Sequence, residues 1–291
     1  MQLCAAPVNP SRFQPAVEAA KKAAVAVVVL GTDAGVEAEG VDRSDLDLPG
    51  VQEELLKAVY QANPKTVLVL QNGSALSINW AKENIPAILT AWYPGEEGGN
   101  AIADVILGDY NPAGRLPLTF YKSVQQLPPM DDYDIRRGRT YMAEIRKAGS
   151  YVSEKDEPLY PFGYGLSYTR FKYSNLQISP KSVDSKGRIQ VSVTVKNVGS
   201  RSGEEVVQLY IRNVQASVPR PIMELKGFKR VALNPQESRT VTMTVPANDL
   251  AYWDVQKKAF VVEPGWFEVR VGASSSDIRT QGRFEITGDF N

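Results

Sequence analysis

Val25-Ala-Val-Val-Val-Leu-Gly31 is followed almost at once by Gly35-Val-Glu-Ala-Glu-Gly-Val-Asp-Arg43. The first stretch is continuous, β-branched and apolar, which reads as a strand of a parallel sheet covered on both faces. The second gathers Glu37, Glu39, Asp42 and Arg43 in a glycine-flanked loop. Open α/β sheets place their ligand crevice beyond the carboxyl ends of the strands, so this loop falls where chemistry is expected. Two acids that close cannot ionise alike, which makes one of them a candidate proton donor near neutral pH. The plainer alternative is a solvated loop in which Asp42 pairs with Arg43 while Glu37 and Glu39 face water. Local chemistry alone leaves both open.

Outward from this stretch the pattern alternates. Ser11 is expected to cap a helix running from Phe13 to Ala23, with Pro15 tolerated in its first turn. Pro49–Tyr60 sets Val51, Leu55, Leu56 and Val59 at helical spacing, and Thr66-Val-Leu-Val-Leu70 is a second buried-type strand. A short helix near Trp80–Glu83 leads to a third strand, Ala87–Trp92, and a glycine-rich turn then opens a helix over Asn100–Leu107. This rhythm predicts right-handed crossovers and a layered α/β/α sandwich domain over residues 1–120. From residue 170 the period becomes two, in 189–195, 205–211, 240–245 and 266–271, with turns between. That predicts an all-β sandwich of immunoglobulin-like or fibronectin type III-like shape over 170–291. The stretch 121–169, rich in Pro, Tyr and charge, reads as a connector.

Composition removes several functions. Lys+Arg and Asp+Glu balance at 33 each, so no global field draws nucleic acid or an anionic membrane, and neither is expected as a partner. No apolar run approaches the ~20 residues that span a bilayer. Met1–Pro7 lacks the basic and apolar regions of a secretory signal, as if one had been removed or the chain were an internal piece. Histidine is absent, which excludes Ser-His-Asp triads, Cys-His pairs and His-containing zinc sites within this chain. Cys4 stands alone, so no internal disulfide forms. No cofactor and no metal is expected.

Other motifs read as structural. Pro94-Gly-Glu-Glu-Gly-Gly99 lacks the Lys-Ser/Thr of a phosphate loop and any dinucleotide fingerprint, and suits a tight turn better. Asn111–Thr119, with two prolines, reads as a turn and a short edge strand without chemistry. Tyr160-Pro-Phe-Gly-Tyr-Gly-Leu-Ser-Tyr168 reads first as a clamp of buried aromatics between domains and second as a sugar-stacking surface. Arg136, Arg137 and Arg139 form a basic cluster, read as a solvated face or as a contact for acids on another domain.

Taken in order, six segments resemble the C-terminal half of family 3 glycoside hydrolases, the β-glucosidase and β-xylosidase group. They are Val36-Glu-Ala-Glu-Gly-Val-Asp-Arg43, Leu48-Pro-Gly-Val-Gln52, Tyr93-Pro-Gly-Glu-Glu-Gly-Gly99, Asn111-Pro-Ala-Gly-Arg-Leu-Pro117, Gly138-Arg-Thr-Tyr141 and Tyr160-Pro-Phe-Gly-Tyr-Gly-Leu-Ser-Tyr-Thr169. The resemblance implies a retaining, exo-acting enzyme on β-linked gluco- or xylo-oligosaccharides, exported to the periplasm or secreted. It also implies a (β/α)8 barrel partner, not found in this chain, that holds the nucleophilic aspartate. Carried over by motif, the general acid/base falls on Glu39, directly before Gly40 in the Glu-Gly-x-Asp-Arg pattern, with Glu37 in reserve. Glu37 and Arg43 are the candidates for touching substrate, and Asp42 with Arg43 for bracing the loop. No Ser/Thr-Asp-Trp segment is present to hold a nucleophile, and Asp33 does not fit that role, so the chain is expected to carry half of a two-carboxylate site. The competing reading is a non-catalytic module that binds carbohydrate or holds a partner protein. An exposed apolar face on the α/β domain would speak for a missing barrel; a wholly polar face would speak for an independent module.

Overall fold

The computed structural model describes residues 10–127, 131, 157–218 and 220–288. Cys4, the arginines at 136, 137 and 139, and most of the expected connector lie outside the described residues. The chain divides into two compact units, one of residues 1–106 with 120–127, the other of residues 107–119 with 128–291.

In the first unit a 3-10 turn, Pro10–Phe13, leads into α1 (Gln14–Lys22). Ser11 therefore lies inside that turn and does not cap the helix: Phe13 occupies the cap position, with no side-chain hydrogen bond, while a proline sits in the first turn as expected. There follow β1 (Ala26–Gly31), α2 (Gln52–Ala62), β2 (Thr66–Gln71), α3 (Asn79–Asn84), β3 (Ala87–Thr90) and α4 (Gly98–Leu107). The three strands form one parallel sheet in the order β1-β2-β3. Ala20 of α1, Val59 of α2 and Ala26 of β1 make a small core with Ala16, Leu55 and Val28 packed on it.

Coverage of the sheet is uneven. In β2, Leu68, Val69 and Leu70 are all fully buried, as a doubly covered strand requires. In β1, Val27 and Val29 are 48% and 54% exposed, and Val25 just before it 50%, although the sequence reads as buried on both sides. The α/β unit thus shows an apolar face.

The second unit is a β-sandwich. One sheet pairs β4 (Phe171–Ser179), β6 (Arg188–Asn197) and β9 (Ser238–Pro246) in the order β4-β6-β9. The other contains β5 (Ser182–Val183), β7 (Gly203–Asn213), β8 (Glu224–Leu233), β12 (Gly265–Gly272) and β13 (Ile278–Ile286) in the order β5-β13-β12-β7-β8. β10 (Tyr252–Asp254) and β11 (Ala259–Val261) form a separate hairpin. Alternate residues meet between the sheets, including Val191 and Val193 of β6, Leu209 and Ile211 of β7, and Phe267 of β12 stacked on Phe284 of β13. Such period-two burial is what the sequence pattern demands.

Residues 107–119, grouped above with the α/β domain, pack instead on this sandwich, and 115–119 form no strand. Leu116 exchanges backbone hydrogen bonds with Tyr164 (2.9 Å) and Gly163 (2.8 Å), so two of the sequence motifs lie side by side. Arg115 reaches Glu205 of β7 at 2.8 Å, with both side chains almost fully buried. Burial pushes the Glu205 carboxyl up, and the Arg115 guanidinium opposes it only in part. Phe162 is buried against Tyr210 and Met223. The side chain of Gln208 donates to Gly163 O at 3.1 Å and Ala273 O at 2.6 Å, and a Cβ on Gly163 would lie 2.0 Å from its Oε1. The strap is therefore tied down by polar contacts as well as by apolar ones.

Removing one partner of a buried pair leaves an uncompensated charge, at a cost of ~3–5 kcal/mol, whereas replacing both by apolar groups is often neutral. Arg115→Met should lose about that much, and Arg115→Met combined with Glu205→Leu should regain most of it. Urea unfolding of the three proteins tests this; a single variant as stable as the parent would show that the pair contributes nothing.

Candidate active site

Glu37 sits at the centre of the loops that leave the sheet. Its Oε1 accepts from Thr32 Oγ1 at 2.5 Å, from Gly73 N–H at 2.5 Å and from Tyr93 hydroxyl at 2.9 Å. Its Oε2 accepts from Ser74 Oγ at 2.6 Å and lies 3.4 Å from Arg43 Nε. These partners follow β1, β2 and β3 respectively, or belong to the acidic loop itself. The carboxylate thus joins the C-terminal ends of three adjacent strands, where α/β sheets form their sites. Burial alone would push the Glu37 carboxyl up, but the hydrogen bonds from Ser74, Thr32, Gly73 and Tyr93 outweigh it and hold the pKa down to about 2.

Local geometry serves this junction. A Cβ on Gly73 would stand 2.8 Å from both Glu37 Oε1 and the Tyr93 ring, so the close approach needs glycine. Trp92, at φ +55°, is an outlier for so bulky a residue, a strain of about 1–3 kcal/mol. It lies directly before Tyr93, and its ring meets Phe120 edge-on at 6.0 Å. Asp33 Oδ1 accepts from Gly35 N–H at 2.8 Å, and Asp33 O accepts from the N–H of Glu37 at 3.0 Å. Asp33 is a turn-former.

Two residues beyond the anchor the chain reverses. Ala38 and Val41 exchange backbone hydrogen bonds at 3.3 and 3.0 Å, closing a four-residue turn. Gly40, its third residue, has φ +75°, as a type II turn requires. A Cβ there would meet nothing within 4 Å, so the demand for glycine is conformational. Glu39 stands at the crest of this turn, exposed, with its base tethered through Glu37.

Arg43 braces the far side of the loop. Its Nη2 donates to Ser74 Oγ at 2.7 Å and to Ala75 O at 2.8 Å, and the side chain is mostly buried. It pairs with Glu37, so the alternative of an Asp42–Arg43 ion pair is not what forms; Asp42 is exposed. The roles given to Glu37 as reserve donor and as substrate contact meet a physical obstacle. Glu37 is ionised far below neutral pH, and the acceptor capacity of its oxygens is taken up by protein groups. Gln52, from the Leu-Pro-Gly-Val-Gln segment, clasps Gly31: its amide donates to Gly31 O and accepts from Gly31 N–H, each at 2.8 Å. In the glycine-rich turn at 94–99, a Cβ on Gly98 would come within 2.4 Å of the Pro94 ring, consistent with a tight turn into α4. Thr32, Gly73, Ser74 and Tyr93 were not legible as site residues. The available signal was position, since each follows an apolar strand, and for Tyr93 also its place at the head of the Tyr93–Gly99 segment.

Fold and site define a class: a mixed α/β unit that displays a tethered acidic turn, followed by an all-β fibronectin-like domain. The glycosyl hydrolase family 3 C-terminal domain matches residues 5–168, and the fibronectin type III-like domain matches residues 205–275. The chain belongs to the glycosyl hydrolase family 3 C-terminal domain family. It is similar to the periplasmic β-glucosidase of Salmonella typhimurium, 41% identical over 273 residues that make up 93% of this chain and 35% of that protein. A β-xylosidase of Formosa agariphila is 43% identical over 274 residues, 92% of this chain and 36% of that protein. Among solved structures, a β-glucosidase from Erythrobacter marinus superposes with a TM-score of 0.84 at 38% identity, covering 96% of this chain and 37% of the other. The β-glucosidase of Kluyveromyces marxianus in complex with glucose gives 0.83 at 37% identity, covering 97% and 34%. The chain spans about a third of the length of these relatives.

Because the folded Glu37 pKa lies below its unfolded value, the stabilisation it confers is complete above pH ~5 and is lost as pH falls toward about 2. The full effect is up to about 3 kcal/mol. Glu37→Gln should therefore be less stable than the parent at pH 7 and converge with it near pH 2. Chemical denaturation at several pH values measures the difference, and a gap that does not depend on pH would refute the ionic anchor.

Proposed function

We propose that this chain supplies the general acid/base, Glu39, to the active site of a retaining β-glycosidase whose nucleophile stands on a (β/α)8 barrel outside it. The observation that carries this reading is the division of labour within one loop. Glu37 is spent on holding the loop, while Glu39 is raised on a fixed turn with its carboxyl group free to meet a substrate. The apolar face on β1 supports a unit completed by further polypeptide over a free-standing carbohydrate-binding or partner-holding module. The substrate class, β-linked glucosides or xylosides, is supported by the names of the Salmonella and Formosa relatives. A site of action outside the cytoplasm is supported by the periplasmic one. Among the described residues no helix is long and apolar enough to cross a membrane.

In the first half of such a reaction the barrel carboxylate bonds to the anomeric carbon as the glycosidic C–O bond breaks, and protonated Glu39 gives its proton to the departing oxygen. In the second half the Glu39 carboxylate takes a proton from water as that water attacks the same carbon and displaces the nucleophile. Two carboxyl groups ~5–5.5 Å apart are needed for this. A displacement of ~1 Å can cost about a hundredfold in rate, so the rigidity of the Glu37 anchor bears directly on turnover.

The test combines this chain with the part of the Salmonella β-glucosidase that lies outside the matched region and assays aryl β-glucosides and aryl β-xylosides. With a poor leaving group, Glu39→Gln should lose about a hundred- to ten-thousandfold in kcat/KM. Loss should be smaller with a good leaving group, and azide should restore turnover there. If Glu39→Gln is silent while Glu37→Gln alters the dependence on leaving group, the assignment is wrong.

A further inference from the structure

One end of the sandwich gathers the start of β7, the end of β8 and the start of β9, and residues 110–111 of the strap cross it. Asn111 holds the strap there. Its Nδ2 donates to Ser202 O at 2.9 Å, and its Oδ1 accepts from Ser167 Oγ at 3.0 Å and from Tyr168 N–H at 2.8 Å. A Cβ on Gly203 would lie 2.5 Å from that Nδ2, so glycine lets the strap sit close. A cleft of about 390 Å³ remains beside it, lined by Tyr110, Gly203, Glu204, Asn234, Glu237 and Arg239 among others. All of these belong to the second unit. Small-molecule sites run from ~300 to 1,000 Å³, so the cleft has room for a small ligand.

Two ion pairs border it. In the first, Glu204 Oε2 accepts from Tyr110 hydroxyl at 3.2 Å and from Arg230, and no described residue donates to its Oε1. In the second, Glu237 Oε2 accepts from Asn234 N–H at 2.8 Å and Oε1 from Arg239 Nη2 at 2.7 Å. The Asn234 N–H and the Arg239 guanidinium hold the Glu237 carboxyl below the usual carboxylate range. Among the described residues Arg239 donates through Nη2 alone, which leaves Nε and Nη1 for a ligand. The Tyr110 ring is fixed through its hydroxyl by Glu204 and Arg230, yet remains 44% exposed. Such a lining selects by charge. A cation would compete with two guanidinium groups, and an anion would meet two carboxylates. A neutral ligand that carries its own donors and acceptors meets neither penalty. A pyranose has that character: its hydroxyls can donate to Glu204 Oε1 and accept from Arg239, and its C–H face can lie on the Tyr110 ring.

We propose that this cleft binds a neutral pyranoside without cleaving it, as a second saccharide site carried by the β-sandwich. Each carboxylate is committed to an arginine, so no proton donor stands in the cleft. The site shares no residue with the loop of Glu39 and is independent of what Glu39 does. Only the choice of glucoside and xyloside as the ligands to try rests on the substrate class proposed above.

Amide NMR spectra of the isotope-labelled chain, titrated with methyl β-glucoside and with methyl β-xyloside, test it. The amides of Gly203, Glu204, Asn234 and Arg239 should shift together and saturate with at least one of the two. Tyr110→Ala removes the ring and Arg239→Ala the unused donors, and each should weaken that binding about tenfold. Neither side chain is buried, and a spectrum otherwise like the parent's shows that the variant is folded. Glu39→Gln should bind as the parent does, and glucuronate and inorganic phosphate should bind no more tightly than the neutral sugars. Shifts that never saturate, or that saturate only at other residues, would overturn the proposal. So would variants that bind like the parent, or tighter binding of either anion. Saturable binding here beside a silent Glu39→Gln in the turnover assay would count against the catalytic reading alone; absent binding beside Glu39-dependent turnover would count against this cleft alone.

Discussion

The ionised carboxylate of Glu37 is the contact on which the rest of the site depends. Three loops that leave three adjacent strands would otherwise end as separate turns, each with donors and no shared acceptor. Thr32, Gly73, Ser74 and Tyr93 all donate, and Arg43 adds a positive charge. Only a deprotonated carboxylate offers acceptors alone on both atoms; an amide would set its own N–H₂ against one of these donors. The requirement for glycine at position 73 follows, because any side chain would occupy the space in which the acceptor and the Tyr93 ring meet.

Fixing one acid also fixes the backbone beneath its neighbour. Glu39 is two residues along, across a turn closed at both ends by the Ala38–Val41 bonds. The chain cannot swing at that point without breaking the anchor, so the position of Glu39 is set by backbone and the character of its carboxyl group by whatever faces it. Two acids of one loop are thereby put in opposite environments. That separation is the usual structural source of distinct acid and base roles.

Much of the fold could be read because its determinants are local. The apolar runs at 25–30 and 66–70 became β1 and β2 within a residue, and the period-two segments became β6, β7, β9 and β12. The errors lie where the determinant is remote. Residues 107–119 carry no pattern that reveals Glu205 as the partner of Arg115, some ninety positions away. Ser11 has the chemistry of a cap, but the turn that contains it is decided by its neighbours. In the site, Glu37 and Arg43 could be picked out from the acidic loop, whereas Thr32, Ser74 and Tyr93 are ordinary residues until the order β1-β2-β3 brings them to one carboxylate. The pairing of Arg43 with Glu37, instead of Asp42, belongs to the same class: which acid lies nearer depends on how the loop folds back on Ser74 and Ala75.

The two units meet the same demand in different ways. β7 is apolar on one face and carries Gln208 and Tyr210 on the other, yet all of these are buried. Its inner face meets the sandwich core, and its outer face lies under Phe162 and Gly163, held by the hydrogen bonds of Gln208. A strand written for burial on both sides is thus satisfied by a strap with no regular structure. β1 is written for burial as well, more strongly, with valine at four of the five positions from 25 to 29. One of its faces meets the helix core around Ala20 and Val59, while the other is exposed and, among the described residues, its outer backbone edge is met by the Gln52 amide at Gly31 alone. Burying a valine side chain is worth ~1.5–3 kcal/mol, and a strand template left open invites pairing with whatever chain is near. The contrast lies at one edge of one sheet, where β2 covers one side of the β1 backbone and the Gln52 amide meets the other at Gly31.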